Sequence, residues 1–179
     1  MFKKNAPVYS AFLIGYLCLI TLLRWQFHWQ LVFLWLGGFL GLLIYNLDHV
    51  TYLLWQNPEG ETAVRFRQLT TQRRFKEAFA LLTDTCGERK RLVGHSVVFQ
   101  ATLLAVSFFA VSSTNSLFGK GLVMAMLLYS LINQGMLLAN GSSLANWFWQ
   151  VRIKRSSKIE AFYYLGMVLF FLLFSWMLI

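Results

Sequence analysis

Four stretches of the chain carry most of the side chains able to do chemistry. Asn46-Leu47-Asp48-His49 sets a carboxylate beside an imidazole, and Gly94-His95-Ser96 supplies a second imidazole. Ser130, Asn133 and Gln134 add a hydroxyl and two amides, and Glu160 a further carboxylate. Carboxylate oxygen combined with imidazole nitrogen suits Zn, Mn or Fe. Asp48, His49 and His95 therefore form a candidate divalent-metal constellation. A histidine at a helix end is more often a boundary residue or a packing hydrogen-bonder, so spacing alone leaves both readings open.

The elements that must position these groups are membrane helices. Hydrophobic residues make up 58% of the 179, charged residues 13%, and the mean hydropathy is +0.55. A soluble domain of this size needs more charge to wet its surface. The apolar residues fall in five blocks, about 8–23, 31–48, 93–113, 120–139 and 160–179. Crossing a hydrocarbon core takes about 20 helical residues, and backbone groups in lipid must be paired within the helix. The expectation is an all-α integral membrane protein, one membrane domain over 1–179 with about five transmembrane helices. The first block could pass for a signal peptide, but no small-residue cleavage site follows it, which favours an uncleaved helix.

Lysine and arginine set the orientation. With the N-terminus inside and five alternating spans, fourteen of the sixteen basic residues lie on the cytoplasmic side, and only Arg24 and Lys120 outside. The C-terminus is then outside. Trp25 and Trp29 fall at the outer boundary, Trp55, Trp147 and Trp149 at the inner one, and Trp176 near the outer end of the last helix. All seven acids lie at or beyond the inner boundary. This topology brings Asp48, His49, His95, Asn133 and Ser130 to similar depth, with Glu160 able to join them. The net charge of +9 is explained by membrane lipids, since anionic headgroups attract basic loops; no nucleic-acid partner is expected. Cys18 and Cys86 fall in different environments, so neither a disulfide nor a cysteine metal cluster is expected from them.

Residues 56–92 are the one sizeable polar stretch. Asn57-Pro58-Glu59 reads as a helix start. Phe75, Ala78, Phe79 and Leu82 follow at i, i+3, i+4 and i+7, and Gly87 suits a stop. The expectation is one or two amphipathic helices lying on the inner leaflet or across the bundle mouth, mainly helical from 60 to 84, with 88–91 as a basic anchor. Gly37-Gly38-x-x-Gly41 reads as a close helix-packing face. Asn140-Gly141-Ser142 fits a glycosylation pattern on the wrong side of the membrane. No phosphate-binding glycine loop, nucleophile elbow or internal repeat is present.

The order of motifs over roughly 31–140 resembles the bacterial family of membrane-bound metal-dependent hydrolases. Its pattern is Asp-x-Asp-His ending one transmembrane helix, His-Ser starting the next, and His-x-x-Asp within a later helix. Asn46-Leu47-Asp48-His49 matches the first element with Asn in place of the first Asp, and His95-Ser96 matches the second. Ser130-Leu131-Ile132-Asn133 keeps the third spacing without its metal-binding side chains. The resemblance implies a Zn or Mn site on Asp48, His49 and His95, with Asn46, Ser130 and Asn133 as second-shell or degenerate ligand positions. Two readings follow. One is a divergent hydrolase acting on a lipid-derived or cytoplasmic ester or phosphoester, through a metal that activates water, or a catalytically degenerate relative of it. The other is a non-enzymatic scaffold or complex subunit that recruits a protein partner through 56–92. A transporter is disfavoured by the nearly apolar first and last helices.

Overall fold

A computed structural model describes residues 2–24, 28–85, 92–151 and 156–179, with the backbone alone for 2–6. Trp25, Cys86, Gly87, the basic run 88–91 and Arg152, Lys154 and Arg155 lie outside the described residues. Regular structure among the described residues is entirely helical. The order is α1 (Phe2–Arg24), α2 (Leu31–Asn46), α3 (Asp48–Thr51), a π-helical turn (Tyr52–Gln56), α4 (Glu61–Thr71), α5 (Phe75–Asp84), α6 (Val97–Ser113), α7 (Leu117–Ala139), a 3-10 turn (Leu144–Asn146) and α8 (Ser157–Leu178).

Four stretches are long and apolar enough to cross a membrane: Pro7–Arg24, Leu31–Gln56, Leu117–Ala139 and Ser157–Leu178. The α6 helix is equally apolar but only 17 residues long. The outward faces explain why such helices suit lipid. Phe162, Leu169 and Trp176 of α8, and Phe12, Leu19 and Leu22 of α1, stand exposed where a soluble bundle would carry charge. This is the make-up of a multi-pass membrane protein.

The α7 helix is the centre of the bundle. Half of its apolar window is buried, against 22% for those of α1 and α8. Its tightest neighbour is α2, and glycine is the reason. A Cβ on Gly37 would lie 2.0 Å from the Phe118 carbonyl oxygen, one on Gly41 2.3 Å from that of Leu122, and one on Gly121 2.2 Å from that of Leu34. The two backbones therefore touch, as small residues at a membrane helix interface permit. Gly38 receives Leu17 of α1. At the far end of α1, Arg24 comes within electrostatic reach of Lys120 near the start of α7, so the two basic residues expected outside share one end of the bundle.

Several boundaries differ from the sequence expectation. The second block does not stop at 48: after a turn at Leu47 it continues through α3 and the π turn to Gln56. The third starts at Val97 rather than 93, because Ser96 caps α6, its Oγ accepting the Phe99 N–H at 3.2 Å. The α7 helix ends in a Schellman motif, with Gly141 at φ +68° and Ser142 N–H donating to Leu137 O at 2.9 Å. Asn140-Gly141-Ser142 is thus a helix stop.

The polar segment forms two helices, α4 and α5, parted where Arg73 takes a positive φ of 58°. Asn57 is not the N-cap; that position falls to Gly60, and Asn57 closes a turn onto the Gly60 N–H. The expected apolar stripe of α5 divides. Ala78 and Leu82 are buried, Leu82 packing with Leu53 and Ala63. Phe75 and Phe79 are 64% and 65% exposed. Trp147 is another correction: it is 2% exposed, packed with Leu144 and Phe148 rather than lying at a lipid boundary.

Candidate functional site

The end of α2, α3 and the strap before α6 meet at one level. Asp48 Oδ2 accepts the Gly94 N–H at 2.9 Å and faces His95 Nδ1 at 3.1 Å. The two side chains are 14% and 11% exposed, so the contact is largely shielded from solvent. One turn back on α2, the Tyr45 hydroxyl donates to the Gly94 carbonyl at 2.8 Å, so both backbone groups of Gly94 are held by α2–α3 side chains. A Cβ on Gly94 would stand 2.9 Å from Asp48 Oδ2, which accounts for the glycine. The strap therefore bends and turns through 93–95 instead of joining α6: the polar groups of Gly94 are already taken.

Aromatic rings enclose the pair. The His95 ring centroid lies 5.1 Å from Tyr45, 5.4 Å from Trp147 and 5.7 Å from His49. Tyr129 of α7 lies 4.6 Å from Tyr45 and stacks on Tyr9 of α1 at 4.3 Å, extending the aromatic column through three helices. Beside Asp48 runs an open, largely apolar cleft of about 470 Å³, lined among others by Ile44, Tyr45, Thr51, Val93 and Met126.

The structure brings together Asp48, His95 and, by its ring, His49. Asn46 is near but engaged elsewhere: its Nδ2 donates to Leu42 O at 2.8 Å and its Oδ1 accepts from Tyr129 at 3.0 Å. Ser130 is buried on α7 beside the Tyr45 phenol. Asn133 is half-buried and makes no hydrogen bond with Asp48 or His95. Glu160 does not join them. Its carboxylate accepts from Ser143 Oγ at 2.6 Å and from Leu144 N–H at 2.9 Å, fastening the start of α8 to the 3-10 turn.

Asp48 Oδ2 addresses His95 itself, in the manner of a carboxylate that orients a histidine. Among the described residues, no three His, Cys, Asp or Glu side chains are disposed to share one ion. The arrangement ties the strap before α6 to α3 through Asp48 and to α2 through Tyr45.

A second polar group escaped the sequence reading in part. Gln134 Nε2 donates to Gln100 Oε1 at 2.7 Å, and Tyr163 of α8 donates to the same oxygen. Gln100 is the lone amide in the apolar run 97–106, which was the available signal. Tyr45 and Gly94 flank the polar stretches, but their mutual bond falls on a backbone carbonyl, which residue type does not disclose. No family model, curated protein or solved structure matches the chain.

Proposed function

We infer that the chain is a non-enzymatic subunit or scaffold of a bacterial-type cytoplasmic membrane. It crosses the membrane five times, α6 included, with the N-terminus inside and the C-terminus outside, and it presents α4–α5 to the cytoplasm. The observation that carries this reading is the double engagement of Asp48 Oδ2 by Gly94 and His95. A carboxylate so used is a latch between α3 and the entry to α6. The positions that resemble metal ligands elsewhere in the motif are Asn46, Ser130 and Asn133, and Asn46 is consumed in packing. Exposed Phe75 and Phe79 of α5 beside Arg73 and Lys76 suit an anionic inner leaflet, each unpaired basic residue near the surface contributing about 1 kcal/mol, while Arg74 is paired with Glu77. The outer face of α4, with Val64, Arg67 and Gln68 exposed, then remains for a protein partner.

Metal analysis of the purified protein, with a thermal melt in the presence and absence of Zn or Mn, tests the latch. No stoichiometric metal and no metal-dependent shift are expected. Bound metal, or a melt raised by added Zn or Mn, overturns the latch in favour of the hydrolase-like reading. Stable co-purification with one protein, lost on charge reversal at Arg67, supports the subunit role.

A further inference from the structure

Two amides inside the bundle lack partners whichever way they are turned. Gln100 of α6 and Gln134 of α7 are 1% and 0% exposed. With Gln134 Nε2 donating to Gln100 Oε1, Gln100 Nε2 and Gln134 Oε1 have no partner. Turning one amide over sets two donors, or two acceptors, face to face at 2.7 Å. Turning both restores the bond with exchanged roles and strands the other NH2 and the other carbonyl. An unpaired donor and an unpaired acceptor survive every permitted assignment.

One buried hydroxyl on α6 behaves the same way. Thr21, Ser112 and Ser175 donate to the carbonyl four residues back, the usual recourse of a hydroxyl in an apolar helix. Ser107, 0% exposed, has no such partner and lies two turns from Gln100 on α6. Groups of this kind are costly to leave bare in an apolar interior.

We propose that the α6–α7–α8 junction is an internal hydration site, in which at least one ordered water bridges Gln100 and Gln134. The occupant must accept from an amide N–H and donate to an amide carbonyl at once. A cation would leave the donor bare and an anion the acceptor, and the three side chains that meet there, Gln100, Gln134 and Tyr163, are all neutral. Water meets the requirement, and the Tyr163 hydroxyl beside both amides offers it a third partner. Both glutamines lie roughly 5–8 Å inside the cytoplasmic ends of their helices at 1.5 Å per residue, so the path for exchange with bulk water is short.

The test uses the full chain, perdeuterated and with 15N-glutamine, in lipid nanodiscs. Cross-relaxation between water and the Gln100 or Gln134 side-chain NH2 should appear with the sign of a bound, slowly exchanging water. In Gln134→Leu and Gln100→Leu that cross peak should be lost, which also assigns it. Should either variant fail to fold, an experimental map of the unaltered protein decides: a discrete peak within about 3 Å of both amides is expected. Assigned NH2 signals without a water cross peak, or a map in which the amides meet only protein atoms, overturns the site.

Discussion

Asp48 holds two partners with one oxygen, so shortening it strands both. Asp48→Ala leaves the Gly94 N–H and His95 Nδ1 without their acceptor. The expected loss is about 1–3 kcal/mol, read from denaturant or thermal unfolding in detergent. Asp48→Asn keeps an acceptor oxygen and should lose less. Asn133→Asp is expected to destabilise independently of metal, since Asn133 is half-buried within α7 and a carboxylate there loses hydration; a melt with and without Mn reads the difference. The meeting of Asp48 with His95 was legible in the sequence, because two costly groups at the same membrane depth have few other partners. The fates of Asn46 and Glu160 were not. Each found a nearer acceptor or donor in a tyrosine, a serine or a backbone amide, and none of those advertises itself by residue type.

Among the helices, the closest approach is that of α2 to α7, and it leaves no room for a methyl group. Gly37→Ala and Gly41→Ala would each drive a Cβ into a carbonyl oxygen of α7. Backbone cannot turn aside as a side chain does, so each should cost roughly 1–3 kcal/mol through overpacking. Gly15→Ala and Gly166→Ala meet nothing within 4 Å in their helices. They should be neutral or stabilising by up to about 1 kcal/mol, which a parallel set of melts would show. The glycine pattern of α2 was readable in advance, whereas the helix ends were less so. Val93 and Gly94 look as apolar as the helix they precede, yet the polar atoms that hold Gly94 sit 46 and 49 residues away in the chain. On α5 the periodicity marked an apolar face, but period alone cannot say which of two adjacent apolar edges, Ala78 and Leu82 or Phe75 and Phe79, faces the protein.

For the molecule as a whole, the proposed topology makes a simple demand on reporters. An enzyme active only outside the cytoplasm should give signal when fused after Ile179 and none when inserted at Gln72, between α4 and α5. The reverse pattern sinks the five-span arrangement, and signal at neither site would place the C-terminus inside with α6 failing to cross. Composition and the basic-residue bias made the membrane character legible; the count turned on α6, whose 17 residues sit at the margin of a span. That margin has a physical sequel. At 1.5 Å per residue α6 stands about 25 Å tall beside the 23 residues and roughly 35 Å of α7. Set in a bilayer, such a bundle has one low wall and one high wall, and the lipid against the low wall must thin to meet it, at a fraction of a kcal/mol per Å. The protein would then carry a lopsided dimple in the membrane around it, melt at higher temperature in short-chain than in long-chain vesicles, and drift toward the thinner side wherever two thicknesses meet.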